Sequence, residues 1–161
     1  MSIIRHATPQ DWPALWAVIE PVIRAGEAYA LDPAMTEGEA RATWLGPDRE
    51  TFVAEYGSEI LGTYYLRANQ PGGGAHVANC GYATAEAARG KGVARAMCEH
   101  SLMHAKARGF TAMQFNFVVS TNESAVRLWR AMGFDVVGTL PGAFRHPKLG
   151  FVDALVMNRA L

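Results

Sequence analysis

Two cysteines in 161 residues, Cys80 and Cys98, leave no room for a disulfide framework. They fall in a strand-like and a helix-like stretch. Buried free thiols are therefore expected, as suits a reducing cytoplasm. An excess of charge is also missing, since Lys+Arg and Asp+Glu number 15 each. That balance excludes the basic footprint of a nucleic-acid binder. No apolar run approaches the length needed to span a bilayer. Met1-Ser2-Ile3-Ile4-Arg5 carries no apolar core of a secretory leader. No repeat, low-complexity tract or linker divides the chain. What remains is an ordinary globular composition, 50% hydrophobic and 19% charged. The expectation is one domain over residues 1–161, in the cytoplasm, with neither nucleic acid nor membrane as partner.

Hydrophobic periodicity then orders the chain. Ile3 to His6 reads as a strand. Thr8-Pro9-Gln10-Asp11 reads as a helix start, and Leu15, Val18, Ile19, Val22 and Ile23 continue at helical spacing. Pro21 is expected to kink or interrupt that helix. Gly26 to Pro33 is a break. Thr36 with Glu39 forms a capping box that opens a short helix through Trp44. Thr51–Tyr56 and Ile60–Arg67 form a hairpin around Gly57-Ser58-Glu59. The Gly-rich stretch from Asn69 to Gly74 is expected to be the loosest loop. Val77 to Thr84 is a central strand, followed by a helix to about Arg108. Met113–Val119, a short helix from Asn122 to Met132, and Phe134–Leu140 come next. Residues 141–150 read as a Pro/Gly loop, and Val152–Arg159 as the last strand. This order demands a mixed α/β fold with a twisted sheet of about six to seven strands and helices on both faces.

Ala88-Arg89-Gly90-Lys91-Gly92-Val93-Ala94 links the central strand to the long helix. A helix N-terminus presents N–H groups without internal partners, and its dipole favours an anion there. Gly90 and Gly92 remove Cβ atoms, so an anion can approach the backbone. Arg89 and Lys91 add charge at the mouth. The stretch ends in neither the Gly-Lys-Ser/Thr of a Walker loop nor a dinucleotide fingerprint. Taken alone, it is equally a Gly-rich surface turn with two solvated cations.

Two motifs in order make the pattern specific. Arg89-x-x-Gly92-x-Ala94 resembles the Arg/Gln-x-x-Gly-x-Gly/Ala signature of the GNAT superfamily of N-acetyltransferases. Asn122-x-x-Ala125-x-x-Leu128-Trp129-x-x-x-Gly133-Phe134 resembles that family's second motif, with Trp129 in place of a Tyr. The order of elements matches over essentially the whole chain. The resemblance implies the GNAT acyl-CoA N-acyltransferase fold, acetyl-CoA as co-substrate, and direct transfer of acetyl to an amine. The pyrophosphate is expected on the backbone from Arg89 through Gly90, Lys91, Gly92 and Val93 to Ala94. The pantetheine arm is expected along Tyr82, Ala83 and Thr84, with Asn122 and Trp129 near the cofactor. Asn122 reads equally as a helix N-cap.

Catalysis is where the chain departs from the pattern. Trp129 cannot serve as the general acid that the Tyr provides in many relatives. The central strand also lacks the Glu that many relatives use as base. Asn79 and Asn116 stand on adjacent predicted strands, in a pattern similar to fungal acetyltransferases acting on proline analogues such as azetidine-2-carboxylate. That likeness implies a small amino-acid-like acceptor held by Asn79 and Asn116, with the oxyanion donor a backbone N–H near Tyr82. The alternative is two structural Asn residues bonding strand backbone where the sheet splays. Glu27, Tyr29 and Arg145 are further candidates for the acceptor pocket, and His146 for a base acting through water. For Glu27, Arg145 and His146 the competing reading is plain surface solvation. No metal is expected. His100 and His104 stand at i and i+4 but lack a third ligand at recognisable spacing. The functions weighed are a small-molecule N-acetyltransferase, a peptide N-terminal acetyltransferase, and a non-catalytic acyl-CoA-binding module. A homodimer through the last strand is also expected.

Overall fold

The computed structural model describes all residues from Met1 to Leu161. Seven strands form one mixed sheet: β1 (Ser2–His6), β2 (Glu50–Tyr56), β3 (Glu59–Ala68), β4 (Val77–Thr84), β5 (Ala112–Val119), β6 (Asp135–His146) and β7 (Gly150–Ala160). Four helices accompany them: α1 (Trp12–Ala25), α2 (Glu37–Trp44), α3 (Val93–Ala107) and α4 (Glu123–Ala131). The spatial order is β1-β2-β3-β4-β5-β7-β6. Only β4 and β5 are parallel, as the crossover through α3 requires. No helix is long and apolar enough to cross a membrane.

The period-2 strands bury a separate cluster on each face of the sheet. Phe52, Tyr64, Leu66 and Cys80 pack with α3 and α4 around Met97, Cys98 and Trp129. Val53 and Ala83 pack on the other face with Leu15, Val18, Ile19 and Ile23 of α1 and Trp44 of α2. Fully burying a side chain such as Leu15 or Ile19 contributes about 1.5–3 kcal/mol. Between the helices and this face, buried polar side chains pair with one another and with the backbone. The Trp44 indole donates to Thr63 Oγ1 at 3.0 Å, and Thr63 donates to the Phe52 carbonyl at 2.7 Å.

Two expectations need correction. Pro21 does not interrupt α1, which runs unbroken from Trp12 to Ala25. Pro21 is on the exposed side, so the carbonyl it deprives of a partner is free to meet solvent, while the apolar stripe pins the helix to the sheet. Residues 141–150 are not a loop either. β6 continues through them to His146 and forms a long hairpin with β7. Pro141 and Gly142 fall at a register shift between Leu140 and Phe144, and β6 is an edge strand, where a Pro removes no ladder bond. The Gly-rich stretch after Asn69 starts and returns at one rung, where the Asn69 N–H donates to the Val77 carbonyl at 2.8 Å.

Candidate active site

β4 and β5 pair only at Val77–Ala112 and Ala78–Met113, then diverge. Which β4 groups face that opening follows from three hydrogen bonds. The Ala85 N–H reaches Leu61 and the Val77 carbonyl receives Asn69, so odd-numbered residues of β4 bond β3. The His76 carbonyl receives the Thr111 N–H at 2.9 Å, so even-numbered residues face β5. Cys80, Tyr82 and Thr84 therefore turn their main-chain groups into the gap. Ala83 does not. Its N–H and C=O are spent on β3, and it offers the gap no hydrogen bond, contrary to the sequence expectation.

The gap opens into a cavity of about 630 Å³. Tyr29, Tyr65, Arg67, Asn79, Tyr82, Asn116, Asn122 and Trp129 are among its lining residues. Its wall contains no Asp, Glu, Lys or His, and Arg67 is the one charged residue. Arg67 Nε is buried without a hydrogen-bond partner, while Nη1 lies 3.8 Å from Asp48. Arg67 is directly across from Asn79 in the β3–β4 register, so the two share one face of the sheet. Asn79 Nδ2 donates to the Gln114 carbonyl at 2.9 Å. Asn116 accepts from Gln114 Nε2 at 2.9 Å and donates to Asn69 Oδ1 at 2.6 Å. Both asparagines reach the cavity, and both are also tied into the strands. Arg67 and Asn69 escaped the sequence reading because β3 alone showed only a hairpin pattern. The pairing of Arg67 with Asn79 is a property of register.

The phenols and the thiol on this wall are held neutral. Burial pushes the Tyr29, Tyr65 and Tyr82 phenols and the Cys80 thiol upward. The Tyr82 hydroxyl pairs with Ser101 Oγ at 2.6 Å, on the α3 side of the sheet. Only the main chain of Tyr82 is available to the gap. Its carbonyl accepts a hydrogen bond from the Tyr29 hydroxyl. Gly81 lies under the ring of Tyr65. A Cβ there would come within 2.4 Å of a ring carbon, so only glycine lets Tyr65 form this part of the floor.

At the near end of α3, Ala94 belongs to the wall and Arg89–Val93 lie just outside it. The Arg89 and Lys91 N–H groups are already bonded to Glu86 and Ala88. Those of Gly92, Val93, Ala94 and Arg95 have no main-chain partner, which leaves a cradle of N–H groups open to an anion. Gly92 takes φ 71°, and nothing lies within 4 Å of where its Cβ would be. That space fits a phosphate. Asn122 is at the start of α4, but its side chain does not cap the helix. Its Oδ1 accepts a long hydrogen bond from Ser124 Oγ at 3.4 Å, and both residues line the cavity. The Trp129 ring is 4.9 Å from those of Tyr82 and Phe115.

Three candidates fall elsewhere. The Glu27 carboxylate is 3.4 Å from Lys148 Nζ and absent from the wall. Arg145 is exposed on β6, outside the cavity. His146 Nδ1 accepts the N–H groups of Lys148 and Leu149, closing the β6–β7 turn. Arg145 and His146 sit on a strand where the sequence suggests a loop, and neither they nor Glu27 belong to the wall.

A profile of the Acetyltransferase (GNAT) family matches residues 12–134. The curated N-acetyltransferase aca1 of Schizosaccharomyces pombe is 30% identical over 151 residues, covering 83% of this chain and 72% of its own. A solved GCN5-related N-acetyltransferase from Kribbella flavida superposes with a TM-score of 0.94 at 44% identity, covering 99% of this chain and 98% of that one. A ribosomal-protein-alanine N-acetyltransferase from Brucella melitensis gives 0.85 at 27% identity, with 99% of both chains covered. With its splayed strands and anion cradle, the chain belongs to the GNAT acetyltransferase family and is an acetyl-CoA-dependent N-acetyltransferase.

Proposed function

We propose that the acceptor is a small amine bearing a carboxylate, an amino acid or an amino-acid analogue. One observation carries this: the only charge on the cavity wall is Arg67, whose buried Nε lacks a partner, beside the amides of Asn79 and Asn116. A guanidinium in that state favours a carboxylate, which forms charge-assisted hydrogen bonds with it.

The residues then divide the work. Arg67 anchors the carboxylate, and Asn79 and Asn116 orient the acceptor. Gly92, Val93 and Ala94 hold the pyrophosphate through their N–H groups, with Arg89 and Lys91 at its rim and Asn122 near the thioester end. Acetyl-CoA supplies the activated acetyl group. The Tyr82 N–H faces the gap and donates to the negative charge that develops on the acyl oxygen. No carboxylate or imidazole on the wall can take the amine proton. The amine therefore reacts in its neutral form, its proton passing to water. Trp129 donates at most a hydrogen bond toward the departing sulfur, because an indole N–H is not an acid at working pH. Tyr29 closes the acceptor side.

A second reading, acetylation of a protein N-terminus, draws on the likeness to the Brucella melitensis enzyme. The test is thiol release from acetyl-CoA with a panel of amino-acid analogues, their decarboxylated amines and short peptides. Turnover of free amino-acid analogues above all others supports the proposal. Turnover of peptides alone replaces it with the second reading. A homodimer completes the proposal. The β6–β7 hairpin exposes Val137, Leu140, Leu149 and Phe151, and its burial between two copies would cover them. A light-scattering mass of one chain would remove the dimer.

A further inference from the structure

His6 closes β1, Glu50 opens β2, and His104 lies near the C-terminal end of α3. None of the three touches the cavity. His104 Nε2 is 3.1 Å from one carboxylate oxygen of Glu50, and His6 Nε2 is 3.6 Å from the other. All three ligand atoms lie within 4.8 Å of one another. Donors held about 2.0–2.1 Å from a tetrahedral zinc ion are spaced about 3.3 Å apart, the edge of that tetrahedron. The cluster is already close to this spacing, and His6, the most exposed member at 64%, is free to close the remainder.

We propose that His6, Glu50 and His104 bind one zinc ion, with water in the fourth position. Two imidazoles and one carboxylate form a donor set that zinc accepts readily. The half-buried His104 ring is held before any ion arrives, and His6 has only a short way to move. His6 and His104 pack on Phe52 with centroids 4.4 and 4.9 Å away. That ring closes the protein side. His100 stacks parallel to His104 at 6.0 Å but stays outside the set, its Nδ1 paired with the Tyr64 hydroxyl at 2.7 Å. The competing cation is Arg108, with Nη1 3.4 Å from Glu50. Its side chain is more than half exposed and can turn to solvent when zinc takes the carboxylate.

His104 is about 16 Å along the α3 axis from the cofactor loop, at 1.5 Å per residue. The ion is thus remote from acetyl transfer. It clips the edge strand β1 and its neighbour β2 to α3, and binding to the folded state alone raises stability.

The test is zinc titration of the chelator-treated full chain by calorimetry and thermal melting. One equivalent per chain and a zinc-dependent rise in Tm are expected. His6→Asn and Glu50→Gln should each weaken binding at least about tenfold, since even an outer partner of a metal ligand has an effect of that size. His76→Asn, an exposed imidazole elsewhere, should leave it unchanged. Co²⁺ should give the intense visible bands of a four-coordinate site in the wild type and lose them in Glu50→Gln. A wild type that binds no stoichiometric zinc, or binding that survives both substitutions, overturns the proposal. The cluster is then only a carboxylate shared by Arg108 and two imidazoles.

Discussion

Asn79 and Gln114 are joined where β4 and β5 part: the Asn79 side-chain amide donates to the Gln114 carbonyl at 2.9 Å, beyond the last main-chain rung. The side chain takes over from the ladder at the point where the ladder must stop. Asn79→Ala should therefore cost stability, about 1–3 kcal/mol for a carbonyl left without its donor. It should also raise KM for the acceptor. Asn116→Ala should raise KM with a smaller loss of stability, since Asn116 bonds only side chains. Chemical denaturation and steady-state kinetics on the two variants separate these effects.

Gly92 tests the cofactor cradle. Its φ of 71° is unfavourable for any other residue, by about 1–2 kcal/mol. Gly92→Glu meets open space, so the fold should survive, but it places a carboxylate where a phosphate belongs. Acetyl-CoA affinity, read by calorimetry, should fall by at least about a hundredfold, the equivalent of roughly 2.7 kcal/mol. Unchanged affinity would move the pyrophosphate elsewhere.

The pH profile of turnover should report the acceptor. The wall offers no carboxylate or imidazole, and burial keeps its phenols and its thiol neutral through the neutral range. The acetyl-transfer kcat/KM should climb with pH until the acceptor amine itself is neutral. Changing to an amine of lower pKa should move the profile down by the same amount. A limb that stays fixed when the amine changes would reveal a base in the protein.

Stability should fall in acid through the Arg5–Asp11 pair. Two hydrogen bonds from Arg5, at 2.8 and 2.9 Å, hold the Asp11 carboxyl down at about 2, against an ordinary 3.8. A carboxyl depressed in the folded state stabilises it above its ordinary pKa. That contribution is lost as pH falls from about 4 through about 2. Solvent screening of a partly exposed pair leaves about 1 kcal/mol. Asp11→Asn should be less stable by that amount at pH 7, with the gap closing below pH 2, as measured by urea unfolding at each pH.

The order of elements and the Gly-containing turn into α3 were readable in the sequence, because each is local. A helical stripe, a capping box and a Gly-containing strand-to-helix turn are all written within a few residues. The acceptor end was readable only in part. Asn79 and Asn116 stood out as polar residues in apolar strands. Arg67 did not, because its meeting with Asn79 depends on hairpin register. Arg145 and His146 were misplaced because Pro141 and Gly142 look like a loop, while an edge strand absorbs them as an irregularity. The cluster of His6, Glu50 and His104 was invisible for the same reason as Arg67. Its members come from three elements, and the i, i+4 pair of His100 and His104 drew attention to the wrong imidazole.

The most direct test of the acceptor assignment is a matched comparison of an amino-acid analogue with its decarboxylated amine, in the wild type and in Arg67→Met. Removing one charge-assisted hydrogen bond costs about 1.5–3 kcal/mol, or roughly 10- to 150-fold in kcat/KM. Arg67 as the carboxylate anchor requires that loss for the carboxylate-bearing acceptor alone, with the plain amine unaffected. An equal loss for both, or none for either, would contradict it.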